Sequence, residues 1–416
     1  GLIPVYLHDS FQSDPFFWGI KTIFTIHNLK FQGTWSVDTI KGFSGLSDYY
    51  FTSDKLEAYG NGNLLKGGLV YADRITTVSR SYASEIRMPF YGEGLDGLLR
   101  ARSKQLSGIV NGIDYNVYNP KTDKDIAVNY SVEDAIKAKA ANKTALQKEL
   151  GLEENPDAFM LGIVSRLTDQ KGLDLVECVL DQICAEDVQL VVLGTGEGKY
   201  QDMFTYYSRK YPERVSANIF YSEALSHRIY ASCDAFLMPS LFEPCGLSQL
   251  MSLRYGTLPI VRETGGLRDT VTPYNEVDGT GTGFSFTNYN AHEMLAIIRY
   301  AKKTYFNDRK AWNEMVLRAM KQDFSWDASA REYEKLYDGL IEEEERRKEA
   351  IRLQQAREAA EAALKEAEKA LELAKRAEEK AIRKFSGIED EPEDEKAEIS
   401  KAEEIDETPE AAPESE

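Results

Sequence analysis

The sequence predicts an α/β protein whose second half is a doubly wound parallel sheet. Three observations carry this. From residue 158 onward, apolar runs of strand length alternate with longer stretches of helical periodicity. Those runs end in turn-forming residues, as at Gly194-Thr195-Gly196 and Pro239. Within 239–271, PSLFEPCGLSQLMSLRYGTLPIVRETGGLRDTV, two strand ends each lead through a loop to a helix N-terminus. In an open parallel sheet, ligands bind outside the carboxyl ends of the strands. Helix N-termini there favour anionic groups such as phosphate. The stretch therefore reads as half of an active site.

The 416 residues suffice for two domains and a tail. The formal net charge is −19, but residues 389–416 hold fourteen acidic and two basic side chains, so −12 belongs to that end and −7 to the rest. No basic patch of the kind that binds nucleic acid is evident. Cys178, Cys184, Cys233 and Cys245 show no CxxC spacing and no metal-ligand pattern with histidine, which fits a reduced intracellular protein. No apolar run approaches membrane-spanning length. The chain opens with GLIPVYL, an amphipathic element without a preceding Met or leader segment.

In chain order, 21–26 (KTIFTI) is a β-branched strand with His27-Asn28 at its end, 66–72 (KGGLVYA) is helical, and 74–78 (RITTV) is a strand closed by Ser79. A glycine-rich loop, 91–97, precedes a helix over 98–102, and 109–110 leads into the turn Asn111-Gly112-Ile113-Asp114. A polar connection at 118–133 marks a boundary. Ser131, with Asp134 three residues on, is expected to cap a helix running to Leu150. Strands are then expected at 158–164, 189–193, 215–220, 235–238 and 258–261. Helices are expected at 173–183, 199–210, 226–232, 291–304, 309–321 and 328–340. Residues 341–385, rich in Ala, Glu, Lys and Leu, carry i,i+4 pairs such as Glu361/Lys365, Glu372/Arg376 and Glu379/Arg383, and read as a solvated helix. A weak coiled coil through which the chain docks a partner or self-associates is the sharper alternative. Residues 386–416 are acidic and poor in large apolar side chains, and are expected to be disordered.

Four constellations bear on chemistry. Arg166 and Lys171 follow the strand at 158–164; a guanidinium fork and an ammonium there suit a diphosphate, and solvated surface cations are the equally weighted alternative. Glu243 lies on a loop before a helix, where a carboxylate also serves as a dipole partner. Beside it, Gly246 permits close backbone approach, and Cys245 reads as a packed residue rather than a nucleophile. His27 after its strand is, taken alone, more often structural than catalytic. Thr264-Gly265-Gly266-Leu267 could turn free amides toward a phosphate, a weak turn signal by itself.

Taken in order, IHNLKFQG, NLLKGGLVYADRITTVS, GIVNGIDYNVYNP, SRLTDQKGLDL, SHRIYASCDAFLMPSLFEPCGLSQL and YGTLPIVRETGGLRDTV resemble the bacterial glycogen synthase and starch synthase family over residues 1–340. The resemblance implies a retaining glucosyltransferase of GT-B architecture, with two Rossmann-like domains facing across a cleft. Residues 1–130 would form the acceptor-side domain, 131–323 the nucleotide-sugar domain, and 324–340 a helix returning to the first. It implies transfer of glucose from ADP-glucose to the non-reducing end of an α-1,4-glucan, with no cofactor and no metal. Carried over by position, Arg166 and Lys171 would neutralise the diphosphate, Glu243 would hold the glucose, and Cys245, Gly246 and Leu247 would offer backbone contacts. Ser248 would contact phosphate, His27 the donor glucose and Tyr221 the nucleoside. Asn111 would line the cleft, with Gly265 and Gly266 near the phosphates.

Two departures bear on these expectations. The second Glu common in other retaining GT-B enzymes is here Met251, which fits the glycogen and starch synthases. The family's opening Lys-x-Gly-Gly-Leu loop, and an Asp preceding the segment that begins here as GLIPVYL, have no counterpart, so this chain alone is expected to be inactive or nearly so. The competing readings are a non-catalytic glucan- or nucleotide-binding protein and a UDP-sugar-dependent GT-B transferase. The expected location is the bacterial cytoplasm, with a plastid as the alternative.

Overall fold

The computed structural model describes residues 1–387. Residues Gly1–Leu340 form one compact unit and the segment from Ile341 a second. The boundary expected at 130/131 therefore falls inside a single unit. The disordered tail expected at 386–416 lies, from residue 388, outside the described residues.

Six short strands occupy the first 110 residues: β1 (Ile23–Ile26), β2 (Thr34–Trp35), β3 (Glu57–Ala58), β4 (Asn61–Asn63), β5 (Arg74–Thr77) and β6 (Leu106–Gly108). The β-branched β1 and β5 join β6 in a parallel sheet, with Ile26 opposite Thr77 and Thr77 opposite Gly108. Ile26, Leu29, Leu65, Leu69, Ile75 and Leu99 are buried in the core beside it. The antiparallel sheet β2-β4-β3 escaped sequence reading, because two- and three-residue strands carry no measurable alternation.

The second sheet contains β7 (Phe159–Val164), β8 (Val188–Leu193), β9 (Val215–Asn218), β10 (Ala235–Met238), β11 (Leu258–Arg262) and β12 (Phe284–Phe286). All its pairings are parallel, in the order β12-β11-β10-β7-β8-β9. Its central strands are buried along their whole length, which explains continuous apolar runs such as VQLVVL. Leu190, Val191 and Val192 are each at most 1% exposed; burial of such side chains contributes about 1.5–3 kcal/mol apiece. β12 was not anticipated, its three residues being lost in a glycine-rich surround.

Ser131 does not cap the helix as expected. The helix runs Ala135–Leu150 with Asp134 at its N-cap position. Asp134 Oδ1 instead accepts from the Ser131 amide at 2.7 Å and from its hydroxyl at 2.9 Å. A carboxylate is the stronger acceptor, so the serine becomes a donor in a local turn. At the other end, the helix expected at 328–340 and the solvated helix at 341–385 form one helix, Trp326–Phe385. No proline interrupts it, and Gly339 costs only about 1 kcal/mol in a helix interior. Arg376 pairs with Glu372 at 3.5 Å as anticipated, whereas Glu361 takes Arg357 at 3.0 Å. Among the described residues no helix is long and apolar enough to cross a membrane.

Where this helix starts, it docks on the segment leaving β6. The Phe324 carbonyl accepts from the Ile113 amide at 2.8 Å, and the Ser329 hydroxyl donates to the Val110 carbonyl at 2.7 Å.

The connection between the sheets is pinned at Asp123, whose side chain is 3% exposed. Its Oδ2 lies 2.7 Å from His227 Nδ1 and accepts from the Tyr255 hydroxyl; its Oδ1 accepts from the Asp125 amide at 2.9 Å. Burial pushes the Asp123 carboxyl up, but the His227, Tyr255 and Asp125 bonds outweigh it and hold it below the usual carboxylate range. This stabilisation is present above the unfolded carboxyl pKa and is lost as pH falls through the lower folded value. Asp123→Asn is expected to lose about 2–4 kcal/mol at pH 7 by leaving buried donors unpaired. In urea denaturation the gap to the unsubstituted chain should narrow below pH of about 4; an equal gap at both pH values would contradict an ionised Asp123.

Candidate active site at the strand-order reversal

In the second sheet β7, β8 and β9 proceed one way from the middle and β10, β11 and β12 the other. The crevice of such a sheet opens where the order reverses, here between β7 and β10. The loop after β7 closes through a 3-10 turn, Asp169–Lys171, into the helix Leu173–Cys184. Gly172 makes that possible: its φ is +70°, and a Cβ there would lie 2.0 Å from the Pro239 carbonyl oxygen. The loop after β10 thus packs directly against the loop after β7. The Leu241 amide donates to the Gln170 carbonyl at 3.0 Å, and Gln170 Nε2 donates to the Phe242 carbonyl at 3.3 Å.

This contact brings Lys171 and Glu243 together. Lys171 Nζ lies 2.6 Å from Glu243 Oε2, with side-chain exposures of 16% and 7%. The Ser240 hydroxyl donates to the same oxygen at 2.9 Å. Arg166 is exposed at the same strand end, its guanidinium forming no ion pair among the described residues. A buried carboxylate paired with one cation, with a second cation exposed at the same strand end, can stabilise a departing anion and a neighbouring centre of positive character.

After Glu243 the backbone turns through Cys245 and Gly246 into the helix Ser248–Arg254. Cys245 is 5% exposed, and burial pushes its thiol up to about 12, against the opposing influence of the Asn111 amide directed at it. Asn111, on the segment leaving β6, thus bears electrostatically on the loop of the second half. Leu247 is 42% exposed. The Ser248 hydroxyl points back to the Val164 carbonyl of β7 at 3.5 Å.

The turn after β11 departs from expectation, because its amides are not free. Gly266 donates to the Glu243 carbonyl at 3.0 Å, and Gly265 to Glu85 Oε1 at 2.9 Å. Gly265 has φ +46°, and a Cβ there would sit 1.9 Å from the Glu243 carbonyl oxygen. The glycines serve here to let this turn rest on the Glu243 loop, a close approach no larger residue permits.

The carboxyl ends of β1, β5 and β6 present His27, Ser79 and the 109–111 segment respectively. His27 is exposed and has no hydrogen-bond partner among the described residues. Tyr221, beyond the end of β9, is 85% exposed, and among the described residues no hydrogen bond joins it to the other predicted residues.

Sequence reading missed the groups that join the halves. The buried Ser79 hydroxyl donates to the Pro244 carbonyl at 2.5 Å. The Ser81 amide and hydroxyl donate to Asp269 at 2.9 and 2.6 Å. Glu85 accepts from the Thr264 hydroxyl at 3.1 Å and from the Gly265 amide. Burial pushes the Glu85 carboxyl up, and those two bonds pull the other way. Arg262, at the end of β11, donates to the Leu241 carbonyl at 2.7 Å and reaches the Tyr91 hydroxyl at 3.4 Å. The partners lie far apart in the chain, so no local pattern signals them. Among the described residues, the one group with metal-ligand spacing, Asp123, Asp125 and His227, includes none of the crevice residues.

Residues 1–101 match the family model described as starch synthase catalytic domain, and 144–316 match glycosyl transferases group 1. The chain is 68% identical to a glycogen synthase of Lachnospira eligens over 340 residues, covering 82% of this chain and 71% of that one. A Clostridium acetobutylicum glycogen synthase is 52% identical with the same coverage. Among solved structures, the catalytic domain of starch synthase IV from Arabidopsis thaliana, bound to ADP and acarbose, superposes with a TM-score of 0.73. It is 34% identical, covering 77% of this chain and 67% of that one.

Burial and the raised pKa make Cys245 inert, whereas Cys178 is exposed. With a chromogenic disulfide reagent at pH 7.5, Cys178 should react fast and Cys184, Cys233 and Cys245 only on unfolding. Rapid labelling of Cys245 in the folded chain would contradict the packed geometry.

Proposed function

The chain belongs to the glycogen synthase and starch synthase family of glucosyltransferases, and on that premise we propose that it moves glucose from ADP-glucose to the non-reducing end of an α-1,4-glucan with retention of configuration. One observation carries the residue assignment: Lys171 and Glu243 meet at 2.6 Å where the strand order reverses, with Arg166 exposed on the loop that leaves β7. In this reading Arg166 and Lys171 bind the diphosphate and take up the charge that develops when the bond from the anomeric carbon to the phosphate oxygen breaks. The electron pair leaves with the phosphate. The acceptor 4-hydroxyl attacks on the same face and gives its proton to the departing oxygen. Glu243 holds the glucose hydroxyls and favours positive character at the anomeric carbon.

Around these, the Cys245, Gly246 and Leu247 backbone faces the sugar and Ser248 the phosphates. His27 contacts the donor glucose from the first half, Asn111 lines the cleft, and Tyr221 lies against the nucleoside. Gly265 and Gly266 contribute by seating the Glu243 loop rather than by offering free amides. The mechanism invokes no metal or cofactor, since the two cations supply the charge. The bacterial cytoplasm is the proposed location, in line with bacterial relatives.

Calorimetric titration tests the donor site. ADP should bind more tightly than UDP, and Arg166→Ala and Lys171→Ala should each weaken ADP by about tenfold or more, the loss of a charge-assisted contact. Tighter UDP binding would overturn the donor choice, and unchanged affinity in both variants would overturn the residue assignment. Glucose incorporation from ADP-glucose into glycogen reads catalysis directly. Turnover supports the reading, and ADP binding without any incorporation would favour the non-catalytic alternative.

A further inference from the structure

Glu243 and its neighbours lie on two loops of the second sheet, yet several of the bonds that hold those loops come from the first half of the chain. The helix Arg80–Glu85 supplies them. Ser79 caps this helix by accepting from the Tyr82 amide at 3.2 Å, and its single proton goes to the Pro244 carbonyl, one residue from Glu243. Ser79 is fully buried, so this hydroxyl has no water to turn to. Two helical turns on, Glu85 receives both the Thr264 hydroxyl and the Gly265 amide. Between them Ser81 binds Asp269 through amide and hydroxyl, fixing the helix Gly265–Thr270. The two loops are also stacked on each other, because the Gly266 amide donates to the Glu243 carbonyl.

We propose that Ser79 and Glu85 are positioning residues for the donor site. Together they form a latch through which the first half of the chain sets the geometry of the Glu243 loop and the Thr264–Gly266 turn. The proposal rests on the donor-site reading above for what the latch serves, but its geometry stands independently. Neither side chain needs to touch the donor. Ser79 orients the peptide next to Glu243, and Glu85 prevents the turn beneath that loop from swinging away. Any motion that parts the two halves must break these bonds first, so opening of the halves and loosening of the donor loops are one event. The latch needs a hydroxyl donor at 79 and an oxygen acceptor at 85: Ser79→Thr keeps the hydroxyl, and Glu85→Gln keeps an oxygen for the Gly265 amide.

The test combines hydrogen exchange with ADP calorimetry on the full chain. Ser79→Ala and Glu85→Ala should speed amide exchange at least tenfold over 243–251 and 262–270 while leaving β8 unchanged, and should weaken ADP about tenfold. Ser79→Thr and Glu85→Gln should restore both to within about twofold of the unsubstituted chain. Exchange that rises evenly across the second sheet would mark a merely structural role and overturn the proposal. So would unchanged exchange over 243–251 and 262–270. If the unsubstituted chain binds no ADP, the donor-site reading fails, while the local exchange pattern still decides whether the latch exists.

Discussion

The reversal of strand order between β7 and β10 is the constraint on which the rest depends. Two adjacent parallel strands whose connections leave in opposite directions cannot have their carboxyl ends covered by the same helix. The uncovered place is filled by the loops themselves, and their packing is close because Gly172 lies against Pro239. Lys171 and Glu243 meet there, 72 residues apart in sequence and 2.6 Å apart in space. A buried charge pair of this kind is a poor source of stability, since desolvation offsets most of the Coulomb gain. On the proposed reading, it is a cost met by the sheet so that charges stand ready where a diphosphate and a sugar would part.

The second level of organisation is the dependence of one half on the other. The loops after β10 and β11 are held in part by Ser79, Ser81 and Glu85 from the first half, and the helix beginning at Trp326 returns to the segment leaving β6. The chain thus crosses between its halves through the Asp123 connection and again at this helix. These links give Gly1–Leu340 its physical basis as one compact unit. The geometry of one sheet is thereby a boundary condition for the other.

The long helix Trp326–Phe385 illustrates a different balance. Its residues beyond 345 are exposed, and its order is carried by helix propensity and i,i+4 pairs such as Arg357–Glu361 rather than by a core. Each pair contributes little, about 0.2–0.5 kcal/mol, yet an Ala-, Glu- and Lys-rich sequence without a stop signal needs little more to remain helical.

Much of this was determined by sequence alone. The period of apolar residues announced β7, β8 and β10 and the helices between them, because burial on both faces of a parallel strand leaves a continuous apolar run. Glu243, Arg166 and Lys171 stood out because each follows such a run, where a strand end must deliver its loop, and the resemblance to the family is what gave them roles. Short strands such as β2 and β12 were not, since two or three residues carry no period. The tertiary structure alone decided which strands are neighbours, and therefore that Lys171 faces Glu243. It also decided that the amides of Gly265 and Gly266 are spent on Glu85 and the Glu243 carbonyl instead of standing free. Those facts depend on contacts between segments up to 180 residues apart. Local propensity has no access to them, because the energy that selects them exists only once both sheets are packed.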